Sequence, residues 1–138
     1  MRKLILPLAS AVLLAACSPT ADKAAKPAAA AQVDEARLLA ADESANAGQW
    51  MSHGRDYAEQ RYSPLTKVNT DNASQLGLAW YADFDTRRGQ ESTPLVIDGV
   101  MYVTTAWSKL FAFDAKTGKP LWSYDPKVPR EWAVNACC

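Results

Sequence analysis

Two cysteines stand side by side at Cys137-Cys138. One carboxylate, Glu91, sits in Gly89-Gln90-Glu91-Ser92-Thr93-Pro94, after the arginine pair Arg87-Arg88 and before a β-branched run. Adjacent thiols can be free nucleophiles, metal ligands or a disulfide. Zinc calls for further Cys or His at short ligand spacing, and none lies near the pair, so a zinc site is the poorest of these. Glu91 could accept hydrogen bonds from a bound group, or it could be a solvated loop carboxylate. By its local sequence alone the second reading is the better one. His53, the only histidine, lies in a polar segment and reads as a structural hydrogen-bonder rather than a ligand. Trp50, Trp80, Trp107 and Trp132 read as packing residues, with Trp107, in Thr104-Thr105-Ala106-Trp107-Ser108, kept as a secondary candidate for a cofactor contact. Asp85 to Arg88 is a charge run and reads as a solvated loop. There is no glycine-rich phosphate loop, G-x-S-x-G, H-E-x-x-H or C-x-x-C-H, so the reactions those motifs announce are not signalled.

The chain has 138 residues, one ordinary domain at most. Residues 1–16 read as a signal peptide: Arg2-Lys3, then 13 residues from Leu4 to Ala16 broken only by Pro7 and Ser10. A membrane-spanning helix needs about 20 apolar residues, so this stretch is too short to be one. It ends in Leu14-Ala15-Ala16-Cys17, which looks like a bacterial lipobox, with Cys17 as the lipidated residue. An ordinary cleavage site beside an incidental cysteine is the alternative. Ser18 after the cysteine points to the outer membrane. Residues 17–33 then form a flexible tether of Ala, Pro, Lys and Thr that cannot bury a core. If Cys17 carries lipid, an even pair remains at 137 and 138, and export makes a disulfide between them permissible. Whole-chain charge is zero, from 15 basic and 15 acidic residues; without Arg2 and Lys3 the balance is 13 against 15. No basic run marks the folded part, so nucleic acid is not an expected partner.

Residues 34–138 must position the candidate groups. Asp34 to Ala47 is rich in helix formers, with Asp34 and Glu35 in the first turn and Gly48 as a stop, and predicts a short helix. Trp50 to Pro64 reads as irregular. Leu76 to Phe84 reads as strand-like. Thr93–Ile97 and Val100–Thr105 flank Asp98-Gly99, a hairpin signal because both turn positions need positive φ. Lys109–Asp114 and Lys119–Tyr124 flank the turn Ala115–Gly118. Four short antiparallel strands with tight turns predict one blade of a β-propeller.

Ala112-Phe113-Asp114-Ala115-Lys116-Thr117-Gly118-Lys119-Pro120-Leu121-Trp122 resembles the tryptophan-docking repeat of eight-bladed quinoprotein propellers. Asp114, Gly118 and Trp122 would then dock one blade on the next. Arg61-Tyr62-Ser63-Pro64-Leu65 with Asn69 and Leu78-Ala79-Trp80, the Gly89–Leu95 segment, and Trp132–Cys138 are all similar to parts of PQQ-dependent alcohol dehydrogenases. The likeness covers residues from about 48 to 138. It implies an all-β fold: the first blade and opening segment of an eight-bladed propeller, preceded by a short helix. It also implies that Glu91 reaches the cofactor and that Cys137-Cys138 form a vicinal disulfide against the flat quinone. Adjacent Cα atoms sit about 3.8 Å apart, closer than ordinary disulfides prefer, so such a ring is strained and stiff.

The resemblance implies an exported, periplasmic PQQ enzyme that oxidises a small alcohol to an aldehyde and passes electrons to cytochrome c. It further implies a calcium or lanthanide ion, with room for haem c. The metal ligands and catalytic base are expected beyond residue 138, since the chain reads as the N-terminal portion of a longer protein. The alternative is a cofactor-free, lipid-anchored propeller scaffold of outer-membrane β-barrel assembly, which would have no use for Glu91 or the cysteine pair. A sugar-oxidising quinoprotein is disfavoured by the same pair.

Overall fold

The computed structural model describes residues 31–134; Cys17 and Cys137-Cys138 lie outside the described residues. Four antiparallel strands follow one another in space as in sequence: β1 (Leu95–Ile97), β2 (Val100–Thr105), β3 (Lys109–Asp114) and β4 (Pro120–Tyr124). This is the expected blade. β-Branched and aromatic residues favour these runs because they pack well on a pleated surface. The β1–β2 hairpin closes with Ile97 opposite Val100. Its turn residues, Asp98 (φ 52°) and Gly99 (φ 79°), are both left-handed, as the Asp-Gly pair predicts. Only three residues of β1 pair, starting two later than the apolar run, because Pro94 has no amide hydrogen to contribute.

The β3–β4 turn is organised by one carboxylate. Asp114 Oδ1 accepts from Lys116 N (3.1 Å), Thr117 N (2.7 Å) and Thr117 Oγ1 (2.7 Å). These bonds hold the Asp114 carboxyl below the usual carboxylate range, the Thr117 hydroxyl contributing most. Gly118 follows at φ 72°.

Leu76–Phe84 joins no strand ladder among the described residues, which corrects the strand-like expectation. It crosses the face of β3 instead. Trp80 Nε1 donates to Ala115 O at 3.1 Å, and Phe84 meets Phe111 and Phe113 at centroid distances of 5.0 and 6.3 Å. A strand pattern records which side chains want burial; ladder bonds need a partner strand, and none is offered here.

The predicted helix is also shorter than its propensities suggest. α1 spans Glu35–Leu39, capped by Asp34, whose side chain accepts from Arg37 N. Asn46 Nδ2 donates to Ala40 O at 2.9 Å, ending the helix in a separate 3-10 turn at Ser44–Asn46. So short a helix is marginal by itself, and tertiary contacts hold it. Arg37 grips Asp98 with two bonds (2.9 and 2.7 Å). Asp98 N donates to Gln49 Oε1 at 2.8 Å, and Trp50 pairs with Val96 through both backbone bonds. Ala41, Met51 and Ile97 form a small core under this strap. Arg55 is buried beside it, donating to Ala41 O and Tyr62 O. Among the described residues no helix is long and apolar enough to cross a membrane.

Candidate functional site

At the start of the blade, the loop before β1 and the β2–β3 connection enclose an open cleft of about 470 Å³. Its lining includes Arg88, Gln90, Glu91, Ser92, Thr104, Thr105, Trp107 and Ser108. Such a volume falls within the usual range for a small-molecule site.

Glu91 is placed there by its neighbours. Gln90 Nε2 donates to Thr104 O (2.5 Å) and to Ser92 Oγ (2.8 Å), and Ser92 Oγ donates to Thr104 O (2.8 Å). With both flanking residues stitched to β2, Glu91 lines the same cleft with its side chain exposed. Its carboxylate has no hydrogen bond or ion pair among the described residues. Such a group can accept from a donor on a bound ligand without first breaking an internal bond.

The far wall is Trp107. The guanidinium of Arg88 lies 5.2 Å from the ring centroid and that of Arg130 lies 4.5 Å away. Arg88 thus lines the cleft while staying exposed, as the solvated-loop reading of Asp85 to Arg88 expects. Asp85, in the same charge run, pairs with Lys109 Nζ at 2.7 Å, and Asp125 approaches the same ammonium at 3.7 Å. The Asp85 hydrogen bond raises the Lys109 pKa and lowers that of Asp85. No local sequence signal announces either pairing, because the partners come from separate loops.

The other candidate residues are elsewhere. Asp114 and Gly118 lie in the β3–β4 turn, and the Trp80 ring covers Gly118: a Cβ added there would come within 2.5 Å of it. Trp80, expected as a packing residue and part of the Leu78-Ala79-Trp80 likeness, is the tryptophan that docks on this turn. Trp122 is 39% exposed and meets Tyr102 at 5.9 Å, with no docking turn against it among the described residues. His53 Nε2 lies 2.6 Å from Arg61 Nη2. A guanidinium only donates, so the imidazole nitrogen accepts, which suits a structural hydrogen-bonder. Among the described residues no three His, Cys, Asp or Glu side chains gather into a metal-binding group. These described residues therefore do not fit a metal ion.

A four-stranded blade whose turn is covered by a tryptophan from an adjoining segment, with an open cleft at the start of its first strand, has the form of a piece of a β-propeller. Residues 50–137 match the PQQ family model for the glucose/ethanol/alcohol dehydrogenase β-propeller domain, and the chain belongs to that family. It is 54% identical over 127 residues to the dehydrogenase subunit of alcohol dehydrogenase (quinone) from Gluconobacter oxydans, covering 91% of this chain and 17% of that protein. It is 52% identical over 101 residues to 1-butanol dehydrogenase (cytochrome c) from Thauera butanivorans, covering 73% and 15%. The structure of quinohemoprotein alcohol dehydrogenase ADHIIG from Pseudomonas putida HK5 matches with a TM-score of 0.72 at 51% identity, covering 78% of this chain and 15% of that one. The chain thus spans about a sixth of the length of these relatives.

Proposed function

We propose that this chain forms the first blade and one wall of the cofactor site of an exported PQQ-dependent dehydrogenase that oxidises small alcohols to aldehydes. The observation that carries the reading is the uncommitted Glu91 carboxylate in the cleft of a chain from this family. The lining suits a flat quinone: one carboxylate acceptor, exposed hydroxyls at Thr104 and Ser108, an indole wall, and room for fused rings. Glu91 would accept a hydrogen bond from the cofactor, while Gln90 and Ser92 hold the loop against β2. Cys137-Cys138, joined as a vicinal disulfide, would offer one face of the site a stiff ring. A quinone bound there supplies the acceptor for the two electrons released as an alcohol becomes an aldehyde and two protons. Positioning by fixed groups is the main contribution a protein makes to such a cofactor.

The reading extends to parts outside the described residues. Cys17 would carry lipid and hold the enzyme at the outer membrane facing the periplasm, behind a signal peptide at 1–16 and a tether at 17–33. Electrons would leave to cytochrome c, in keeping with the name of the Thauera relative, or to haem c on the same chain. A calcium or lanthanide ion would be held by residues other than those described. Intact mass of the exported full-length protein checks both cysteine assignments: an acyl adduct on Cys17, and the loss of two hydrogens at Cys137-Cys138. The decisive experiment is titration of PQQ into apo full-length protein. Glu91→Gln should weaken binding about tenfold, an ordinary loss for one charge-assisted bond. An unchanged dissociation constant would remove Glu91 from the site.

A further inference from the structure

Trp107 stands out on its backbone before its side chain is considered. It is in the left-handed region (φ 69°), and so is Ser108 after it (φ 55°). A bulky residue there is an outlier, and glycine or asparagine would close the same turn with less strain. Strain of this kind persists where the surrounding structure over-determines it, and it gathers at sites with a task. No turn requirement explains a tryptophan at this position.

The ring does have contacts that explain it. Arg88 lies on the Glu91 loop, three residues before Glu91. Arg130 opens the 3-10 turn Arg130–Val134, on the run toward Cys137-Cys138. Neither guanidinium has an ion pair among the described residues. Two like charges would otherwise repel, and the electron-rich face of one indole draws both in. Three segments distant in sequence therefore converge on this ring: the loop carrying Glu91, the β2–β3 connection, and the segment after β4.

We propose that Trp107 is a positioning residue of the cofactor cleft, its ring fixing the Glu91 loop relative to the Arg130–Val134 turn through Arg88 and Arg130. This rests on the cleft being the quinone site. The indole sets the cleft's width; it takes no proton and forms no bond. Without it both flanking segments keep their own hydrogen bonds but lose their common reference point. The cost then falls on ligand binding more than on folding.

The backbone strain supplies a test that separates positioning from plain structural support. In full-length apo protein, Trp107→Asn suits the left-handed backbone but removes the ring. Its apo melting temperature should hold or rise, while the PQQ dissociation constant rises about tenfold and the melting shift on PQQ addition shrinks. Trp107→Phe keeps a π face and should restore binding to within about threefold. Arg130→Gln should weaken binding in the same direction, leaving apo stability alone. If Trp107→Asn lowers apo and PQQ-bound stability equally, or leaves the dissociation constant unchanged, the proposal is overturned. Glu91→Gln measured alongside keeps the two readings apart. If Glu91→Gln weakens binding and Trp107→Asn does not, only the positioning role fails. If neither changes it, the cleft is not the quinone site and both fail.

Discussion

Single charged residues in this chain act by what they hold in place. Gln90 and Ser92 are committed to Thr104 O, and Glu91 between them is left free to accept from a ligand. Asp98 does a different job in the β1–β2 turn, where it anchors Arg37 of α1 at 2.7 Å. The Arg37 hydrogen bond holds the Asp98 carboxyl below the usual carboxylate range; burial opposes it, and the positive charge of Arg37 adds a lesser lowering effect. The sign follows from linkage. A depressed folded-state pKa contributes stability above the unfolded value of about 3.9, and loses it as pH falls through the folded one. The pair is partly exposed, so its effect is modest and salt-sensitive. Hydrogen exchange of residues 34–50 in the full-length protein should therefore be slow and flat near neutral pH. Once corrected for intrinsic exchange, it should quicken as pH drops below about 4. In Asp98→Asn that exchange should already be faster at neutral pH and show little further acid dependence. A strap that keeps wild-type protection in Asp98→Asn would mean that the Trp50–Val96 ladder holds it unaided. Neither this pairing nor the two arginines on Trp107 was legible in the sequence. Their partners are far apart along the chain, and a charge run such as Asp85–Arg88 looks the same whether solvated or engaged.

At the scale of the element, turn chemistry was the most legible part. Asp98-Gly99 and Asp114–Gly118 are local devices, and local devices need no knowledge of the rest of the fold. The two glycines also offer a matched comparison. Both have positive φ, but a Cβ at Gly99 meets nothing within 4 Å, whereas one at Gly118 meets the Trp80 ring at 2.5–2.7 Å. Gly99→Ala should cost only the left-handed backbone penalty, about 1–2 kcal/mol. Gly118→Ala should cost that plus about 1–3 kcal/mol for forcing the indole off its seat and off Ala115 O. Thermal unfolding of the two variants in the full-length protein measures the difference. Equal losses would mean that the Trp80 docking contact carries no weight. Helix and strand limits were less legible for the opposite reason. Good helix formers through Ala47 could not foretell that Asn46 would turn back onto Ala40 O. Apolar alternation through Leu76–Phe84 could not foretell the lack of a ladder partner.

On the scale of the whole molecule, the described chain buries little. Its buried hydrophobic residues are Ala41, Met51, Ile97, Val100, Val103, Ala106, Ala112 and Phe113, and no large side chain among the described residues is fully enclosed. Meanwhile Leu78 is 81% exposed, Tyr81 75% and Leu76 66%. An apolar groove of about 500 Å³ runs over β3 and β4 between Phe84, Phe111, Phe113 and Trp122. Burial on this scale cannot offset the entropy of ordering roughly a hundred residues, since backbone ordering alone costs about 1–2 kcal/mol per residue. Repeat architectures solve the problem by stacking each unit on its neighbours. The chain's membership of a propeller family, at about a sixth of its relatives' length, says the same. The 138-residue chain produced alone should therefore melt over a broad range without a cooperative transition. It should bind a hydrophobic reporter dye strongly and show no dye-linked alcohol oxidation with added PQQ. The full-length protein should melt sharply, bind the dye weakly and oxidise alcohols. A sharp, dye-silent transition in the isolated chain would show that one blade and its strap form a self-sufficient unit. The exposed Leu76–Tyr81 and Trp122 surfaces would then need a role other than contact with the rest of a propeller.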